Sequence, residues 1–487
     1  MVSTIFANIT RPGVFLTEDV AGFRTPELAS FNTVYMIGSA ESGAFAVPTL
    51  VTSLTDFTNQ FGLSPSANSV RLYFRNDTNG KLFFSRTAIA QSFTVTVNTA
   101  AAGTQVIVVN GVNVSALIAA SPTVQIVRDA LIQAIALSPV GAAVSGIAVE
   151  ASTSQLRIFA RTSTAALTVT TASANLTIAA ATPLTPQFND FVSCIEDSYD
   201  PDDAWEQGYL IAPEAFQSIA VPSQRLAVAT AMLSHCSDKE FDWLAMVDCG
   251  QPVYSGILPL QIEAGAYTAP QGHLVFYAPY VRDLELTNVP SSAFVAGIAT
   301  LRNRQQGYHQ PPAGIKYKGQ GVVGVTQKFT SAQQNVLNPL GINLVRTLRN
   351  VGTVVWAART RSSDSSYKFL HTRVIMNAIN GTLREAYNSE VFNTVDGRSI
   401  LLHRLNETTR SVLRRFWLSD ALFGETEDEA FKIVCDFTNN NASDMDNGNF
   451  VLEAYCATSP MVEKLLLRVF RVSIGQAAAA AALGRTF

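Results

Sequence analysis

Apolar positions along this chain recur with two periods, and the changes of period divide it into elements. Short continuous apolar runs mark strands buried on both faces. "TVYMIG" (Thr33–Gly38), "GYLIAP", "FDWLAMVDC" and "GHLVFYAPYV" are of this kind, the last closed by Pro279. Steps of three and four mark helices. "SLTDFTNQFG" (Ser53–Gly62) reads as a short helix ended by Gly62. "SVRLYFRNDTNGKLFFSR" reads as a helix, an Asn79-Gly80 turn and a strand. With "SQRLAVATAMLSHCSD" as a helix, residues 190–290 alternate strand and helix, the α/β pattern.

Further on, "PSSAFVAGIATLRNRQQG" reads as a helix. Pro290, Ser291 and Ser292 start it, Phe294, Ile298 and Leu301 share a face, Arg302 and Arg304 sit in the last turn, and Gly307 ends it. Residues 365–420 hold two amphipathic helices. One aligns Phe369, Thr372, Met376, Ile379, Leu383 and Tyr387, the other Leu402, Leu405, Thr409, Val412 and Phe416. "FKIVCDF", "NFVLEAYC" and "EKLLLRVFRV" then read as strands. In the last of these, Leu465, Leu467 and Val469 form one row and Leu466, Phe470 and Val472 the other, so both faces need cover. The tail after Gly475, "QAAAAAALGRTF", has no such alternation.

Residues 1–30 are broken by Pro12, Gly13, Gly22 and Pro26 and read as an extended arm carrying Val14, Phe15 and Leu16. From Gln91 to Pro186 there is no Trp, Tyr or Cys, and Ala, Thr, Val and Ser dominate. There "TQVIVVNGVNVSAL" is a hairpin signature about Asn110-Gly111, and "TVQIVRDALIQAIAL" has helical spacing. This predicts a separate small α+β module inserted in the chain. The stretch "GINLVRTLRNVGTVVWAARTRSSDSSYKFLHTRVIM" (Gly341–Met376) sets a buried strand, a break at Arg359, Arg361, Ser362, Ser363 and Asp364, and a helix start in quick succession.

A chain of 487 residues exceeds one core, so two to four domains are expected. Charged residues are 15% and apolar residues 47%. Low charge suits a protein that buries its surface against its own copies, and equally a large two-layer enzyme. Net charge is −4 with no Lys/Arg run, against direct nucleic-acid binding. Cys194, Cys236, Cys249, Cys435 and Cys456 show no metal spacing and read as reduced thiols. "MVSTIFANITRPG" lacks a signal-peptide pattern and no apolar run is long enough to span a bilayer, so a soluble protein made in a cytoplasm is expected.

Candidate chemistry is sparse. "GQGVVG" (Gly319, Gly321, Gly324) matches a dinucleotide fingerprint, but "VTQKFTSAQ" after it has no helical apolar face, which favours a turn between strands. Asp248, ending a strand, reads as a cap on the next turn or as a ribose or metal ligand. The acids Glu196, Asp197, Asp200, Asp202, Asp203 and Glu206 lack the Gly and terminal Glu of a calcium loop and read as a solvated loop. His235, His273, His309, His371 and His403 form no HExxH, and no GxSxG exists.

"RPGVFLTE", "VYMIGSAESGAFAVPTLVTSLTDFTNQFG" and "YFRNDTNGKLFFSR" resemble the start of contractile tail sheath proteins. Three further blocks resemble the C-terminal half of that family: "VPSSAFVAGIATLRNRQQGYHQPPAG", "LNPLGINLVRTLRNVGTVVWAARTRSSDSSYKFLHTRVIM" and "FWLSDALFGETEDEAFKIVCDFTNNNASDMDNGNFVLEAYCATSP". The resemblance covers about 1–90 and 190–475 and stops at the module. The early hairpin has "NDTNG" in place of the family's double Gly, and "TSPMVEK" is looser than the usual stretch.

The resemblance implies a multidomain α+β and α/β protein. It comprises a tube-proximal αβ core from N- and C-terminal segments, a middle α/β domain, the inserted module, and extended terminal arms. The expected divisions are an arm 1–30, a core segment 31–90, an outward-facing module 91–186, a middle domain 187–330, a C-terminal domain with a linking strand 331–475, and an Ala-rich tail 476–487. The implied function is a virion structural subunit, not an enzyme and without cofactor or metal, stacking as hexameric rings around a tail tube and contracting. Its implied partners are itself, the tube protein, the baseplate and the tail terminator. Linking arms would be residues 1–22 and Glu463–Ile474, with Val14, Phe15, Leu16, Leu465, Leu466, Leu467, Val469, Phe470 and Val472 as contacts. Glu425, Glu427, Asp428 and Glu429, in Ala421–Ala430, are candidates to face a basic stripe on the tube. A sheath of a tailocin or other non-phage injection particle fits the sequence equally, and a nucleotide-dependent α/β enzyme built on 190–330 is the rival from another class.

Overall fold

The computed structural model describes residues 28–40, 42–62, 64–87, 92–140, 147–159, 167–181, 186–200, 205–238, 241–388, 390, 394, 399–441, 445–446 and 449–469. The chain opens with β1 (Thr33–Gly38), β2 (Thr49–Val51), α1 (Leu54–Phe61), α2 (Ala67–Asn76) and β3 (Lys81–Arg86). Ser53 caps α1 by accepting the Asp56 N–H, and Gly62 closes it at positive φ, as its sequence predicts.

The module follows, with β4 (Ser92–Val97), β5 (Gly103–Val109), β6 (Val112–Ile118), α3 (Val124–Leu137), β7 (Ile147–Ser152), β8 (Gln155–Phe159), β9 (Val169–Thr170) and β10 (Leu176–Ala181). Its strands form two sheets, β10-β4-β8-β7 and β6-β5-β9. Ile107, Val127, Leu131, Ile135, Leu156 and Ile158 belong to a core cluster of its own. The Asn110-Gly111 turn joins β5 and β6 with both residues at positive φ.

The chain then supplies α4 (Phe188–Ser198), β11 (Gly208–Ile211), α5 (Pro213–Ser218), α6 (Pro222–Ser237), β12 (Leu244–Asp248), α7 (Leu258–Ala266), β13 (Leu274–Ala278), β14 (Val281–Asp283), β15 (Asn288–Val289) and α8 (Ser291–Gln306). After these come β16 (Val322–Val325), α9 (Ser331–Leu337), β17 (Ile342–Leu348), β18 (Gly352–Val355), α10 (Leu370–Tyr387), α11 (Ile400–Leu418), α12 (Glu427–Ala430), β19 (Phe431–Val434) and β20 (Glu453–Cys456).

An eight-stranded sheet in the order β18-β17-β13-β12-β11-β1-β3-β2 forms the centre. β17, β13, β12, β11, β1 and β3 run parallel, and the edge strands β18 and β2 are antiparallel. Alternate residues serve opposite faces. Tyr35, Ile37, Leu210, Ala245, Val247 and Phe276 meet α4, α6 and α7. Val34, Met36, Tyr209, Met246, Val275 and Tyr277 meet α1, α2 and α8. Cover on both faces is why these strands read as unbroken apolar runs. Segments 31–90, 187–330 and 331–475 all contribute strands to this sheet.

Two helices are buried over more of their surface than one stripe. In α8, Ser291 to Thr300 are buried all round, not only Phe294 and Ile298, and Leu301 is half-buried. A Cβ on Gly297 would meet the Tyr73 carbonyl oxygen at 2.7 Å, so α8 and α2 cross in close contact. In α10 the buried set is Leu370, Val374, Ile375, Ala378 and Ile379 with His371, Arg373 and Asn377, whereas the expected Thr372, Met376 and Leu383 are half-buried. α10 lies between two cores. Val374 belongs to the sheet's second face, while Ile375 and Ile379 pack with Val412, Leu413 and Phe416 of α11 and Phe431 of β19.

The stretch 341–376 is a joint. β17 turns at Asn350 and Gly352 into β18, both at positive φ. At the break, Arg361 donates to the carbonyls of Tyr267 (2.8 Å) and Ala264 (2.7 Å) and so closes the C-terminus of α7. Buried Asn343 accepts from the Arg359 N–H and donates to the Arg359 carbonyl, both at 2.7 Å, which fixes where the chain turns towards α10.

Gly297→Val places atoms against the α2 backbone. It is expected to lower stability by about 1–3 kcal/mol, read as a lower urea midpoint with an unchanged slope.

Candidate functional site

The chain that leaves β20 is tied down and then released. Ala457 donates to the Ala430 carbonyl, Ser459 donates through its N–H to the Ala421 carbonyl and through its hydroxyl to the Asp420 carbonyl, and His371 Nε2 meets the Ser459 carbonyl at 3.0 Å. Four residues on, Glu463 accepts from Arg359 Nε at 2.7 Å and Nη2 at 2.6 Å, and from Asn338 Nδ2 at 2.9 Å. The pair is planar and two-toothed, the geometry in which arginine holds a carboxylate best. Both side chains are largely buried, and the Arg359 guanidinium holds the Glu463 carboxyl below its ordinary value.

Past this anchor the apolar run is bare. Leu465, Leu466, Leu467 and Val469 are at least three-quarters exposed (75–86%). The expected strand is not present there: Lys464 to Val469 form no helix or strand, and no described strand pairs with them. A strand needs a partner edge, and no described strand of the chain lies against this one. Val14, Phe15, Leu16, Phe470 and Val472 lie outside the described residues.

The acidic candidates sit where α12 precedes β19. Glu425, Asp428 and Glu429 are exposed. Glu427 is different: it lies 2.6 Å from Arg414 Nε and 3.5 Å from Arg410 Nη1, both on α11. The Glu425 N–H donates to the Glu429 carboxylate at 2.9 Å, and Trp417 Nε1 holds the Gly424 carbonyl at 2.9 Å. Part of the cluster therefore fastens the turn to α11, which the spacing of acids alone did not indicate.

Other sequence candidates resolve into structure. "GQGVVG" leads into β16 instead of a helix, and a Cβ on Gly319 would strike the Phe294 ring. Asp248 is fully buried and caps a distant helix, accepting the Ser292 N–H of α8 at 2.7 Å, not the next turn; burial pushes its carboxyl up to about 7. Glu206 holds Lys81 and Thr33 beside β1, while Asp202 and Asp203 lie outside the described residues. His235 is pushed down to about 4 by burial among aromatic rings. Among the described residues no group of three or more His, Cys, Asp or Glu could hold a metal, and no helix is long and apolar enough to cross a membrane.

The described chain therefore ends in an apolar segment anchored at Glu463. The Arg359–Glu463 anchor was not found from sequence. Its only signal there was an arginine in the break of 341–376, and its partner lies 104 residues away.

No family model and no curated protein matches the chain. Solved structures do. A chain in the six-fold symmetrised baseplate of the anti-feeding prophage is similar at TM-score 0.60 and 17% identity, covering 96% of this chain and 100% of that one. A chain of the contracted PVC sheath complex, an extracellular contractile injection system, is similar at TM-score 0.61 and 16% identity, covering 96% and 99%. The contracted helical sheath of the anti-feeding prophage is similar at TM-score 0.59 and 17% identity, covering 95% and 100%. At these identities the likeness is one of fold.

Because the Glu463 carboxyl is depressed in the folded chain, the unfolded chain binds more protons as pH falls. The contribution of the pair is full above the unfolded carboxylate value near ~4.3 and is lost as pH falls through the folded one. Glu463→Gln is expected to cost roughly 1–2 kcal/mol at neutral pH and to flatten the acid limb of stability. Denaturation at a series of pH values reads both effects.

Proposed function

We propose that this chain is the structural subunit of a contractile sheath, polymerising as a helical stack of hexameric rings around a tube. The observation that carries the reading is the terminal segment: a row of exposed large apolar residues, rooted in a two-toothed ion pair, on a fold similar over nearly its whole length to sheath chains. A neighbouring copy supplies the missing cover and edge. Residues 464–474 add a strand to its sheet, and backbone bonds of that kind survive rotation of the bodies they join. The two-stranded sheet β19–β20 is a suitable acceptor, since such a pair is marginal alone.

Contraction then follows as a switch between two lattices that bury different areas, with no nucleotide consumed. The tube protein, baseplate and tail terminator are the proposed partners. Glu425, Asp428 and Glu429 are the proposed weak contacts to the tube, and the module faces outward. The reading assigns no catalytic role. In a phage the assembly is part of the virion and drives entry. A non-phage injection particle is the second reading, favoured by the likeness to the anti-feeding prophage and the PVC sheath.

Two truncations test this by negative-stain microscopy. Removing 463–487 should leave a folded subunit that builds no continuous sheath, and removing 476–487 should leave assembly intact. Full-length sheaths from the longer deletion would place the coupling in the domain bodies instead.

A further inference from the structure

Beside the terminal segment lies a cleft of about 480 Å³ between the end of α8, the loop after it, the stretch Trp356–Ala358 and the crossing segment Ser459–Glu463. Arg302 lines it and is only 3% exposed. Its guanidinium has neutral partners only: Nη1 donates to the carbonyls of Pro311 and Ala313, Nη2 donates to Gln310 Oε1 at 3.2 Å, and its plane lies 4.0 Å over the Tyr317 ring. Its Nε finds no acceptor, and neither does Nδ1 of His309 on the same wall. Arg225, Arg128 and Arg359 each meet a carboxylate, on Glu263, Asp129 and Glu463, whereas buried Arg373, which lines no such cleft, has Asn377 and the Gln271 carbonyl as its hydrogen-bond partners. The one carboxylate lining the cleft, Glu463, is committed to Arg359 and Asn338.

A guanidinium removed from water without an anion is costly, and a preorganised donor of this kind matches the oxygens of an oxyanion such as a carboxylate. The walls are apolar where the donors are not, with Pro311, Ala357, Ala358, Pro460 and Met461. A carboxylate on a short apolar stem matches both.

We propose that the Arg302–His309 cleft is a carboxylate-binding site, filled in the assembly by an acidic side chain of a second copy of this chain. Charge favours that occupant: the chain is net acidic at −4, and Glu385 and Glu407 are exposed carboxylates with no cation partner among the described residues, neither of which lines the cleft of its own molecule. The inference rests on the sheath reading for its occupant but not for its chemistry. Because the cleft is roofed by the root of the linking segment, filling it ties the seating of a neighbour to the direction in which that segment leaves.

The test uses the full chain and sodium malonate as probe. Malonate should raise the thermal midpoint of the wild type above that in sodium chloride of equal ionic strength, since it binds the native state. Arg302→Gln should abolish the difference. Ala357→Asp, which brings a carboxylate to the cleft wall within the chain, should raise the midpoint without malonate, lose about tenfold or more in apparent malonate affinity, and assemble poorly although folded. Malonate acting no better than chloride on a wild type that assembles overturns this inference alone, as does Ala357→Asp assembling like the wild type. A wild type that never assembles overturns the sheath reading and the proposed occupant with it.

Discussion

A segment apolar on both faces is poorly satisfied by water, and among the described residues no strand edge pairs with it. Leu465, Leu466, Leu467 and Val469 impose that constraint here. The body is built to deliver the segment and not to cover it. Asn343 fixes the backbone of Arg359, Arg359 grips Glu463, and the chain is released one residue later. On the sheath reading proposed above, the burial left unclaimed in the subunit would be gained between subunits.

Rigidity upstream makes that delivery useful. The parallel sheet is covered on both faces, α8 crosses α2 at backbone contact, and α10 belongs to two cores at once, so the sheet and the α11–β19–β20 layer share a helix. On the proposed reading, a segment rooted in such a body would carry the orientation of one subunit to the next. A loosely rooted one would tether without orienting.

The sequence made some of this legible for physical reasons. β1, β11, β12 and β13 could be read because strands covered on both sides need apolar residues at every position. The ends of α1 could be read because capping depends on Ser53 and Gly62 alone. Helices α8 and α10 were legible as helices but their buried faces only in part, since both bury residues beyond any single stripe. The common sheet was hidden because its strands come from both sides of the module, and pairing of β1 with β11 leaves no local mark. The Arg359–Glu463 anchor and the unmatched Arg302 were hidden for a related reason: a charge in sequence does not say whether it will be buried or who will meet it.

The central claim is that Lys464 to Val469 is unpaired in the subunit and becomes a paired strand in the assembly. Amide hydrogen exchange of this segment, compared between monomer and assembled tubes, tests it most directly. The account predicts exchange near the unstructured rate in the monomer and strong protection in tubes, at levels matching the central sheet. Equally fast exchange in both states would contradict it, because a strand paired to a neighbour cannot leave its amides open to water.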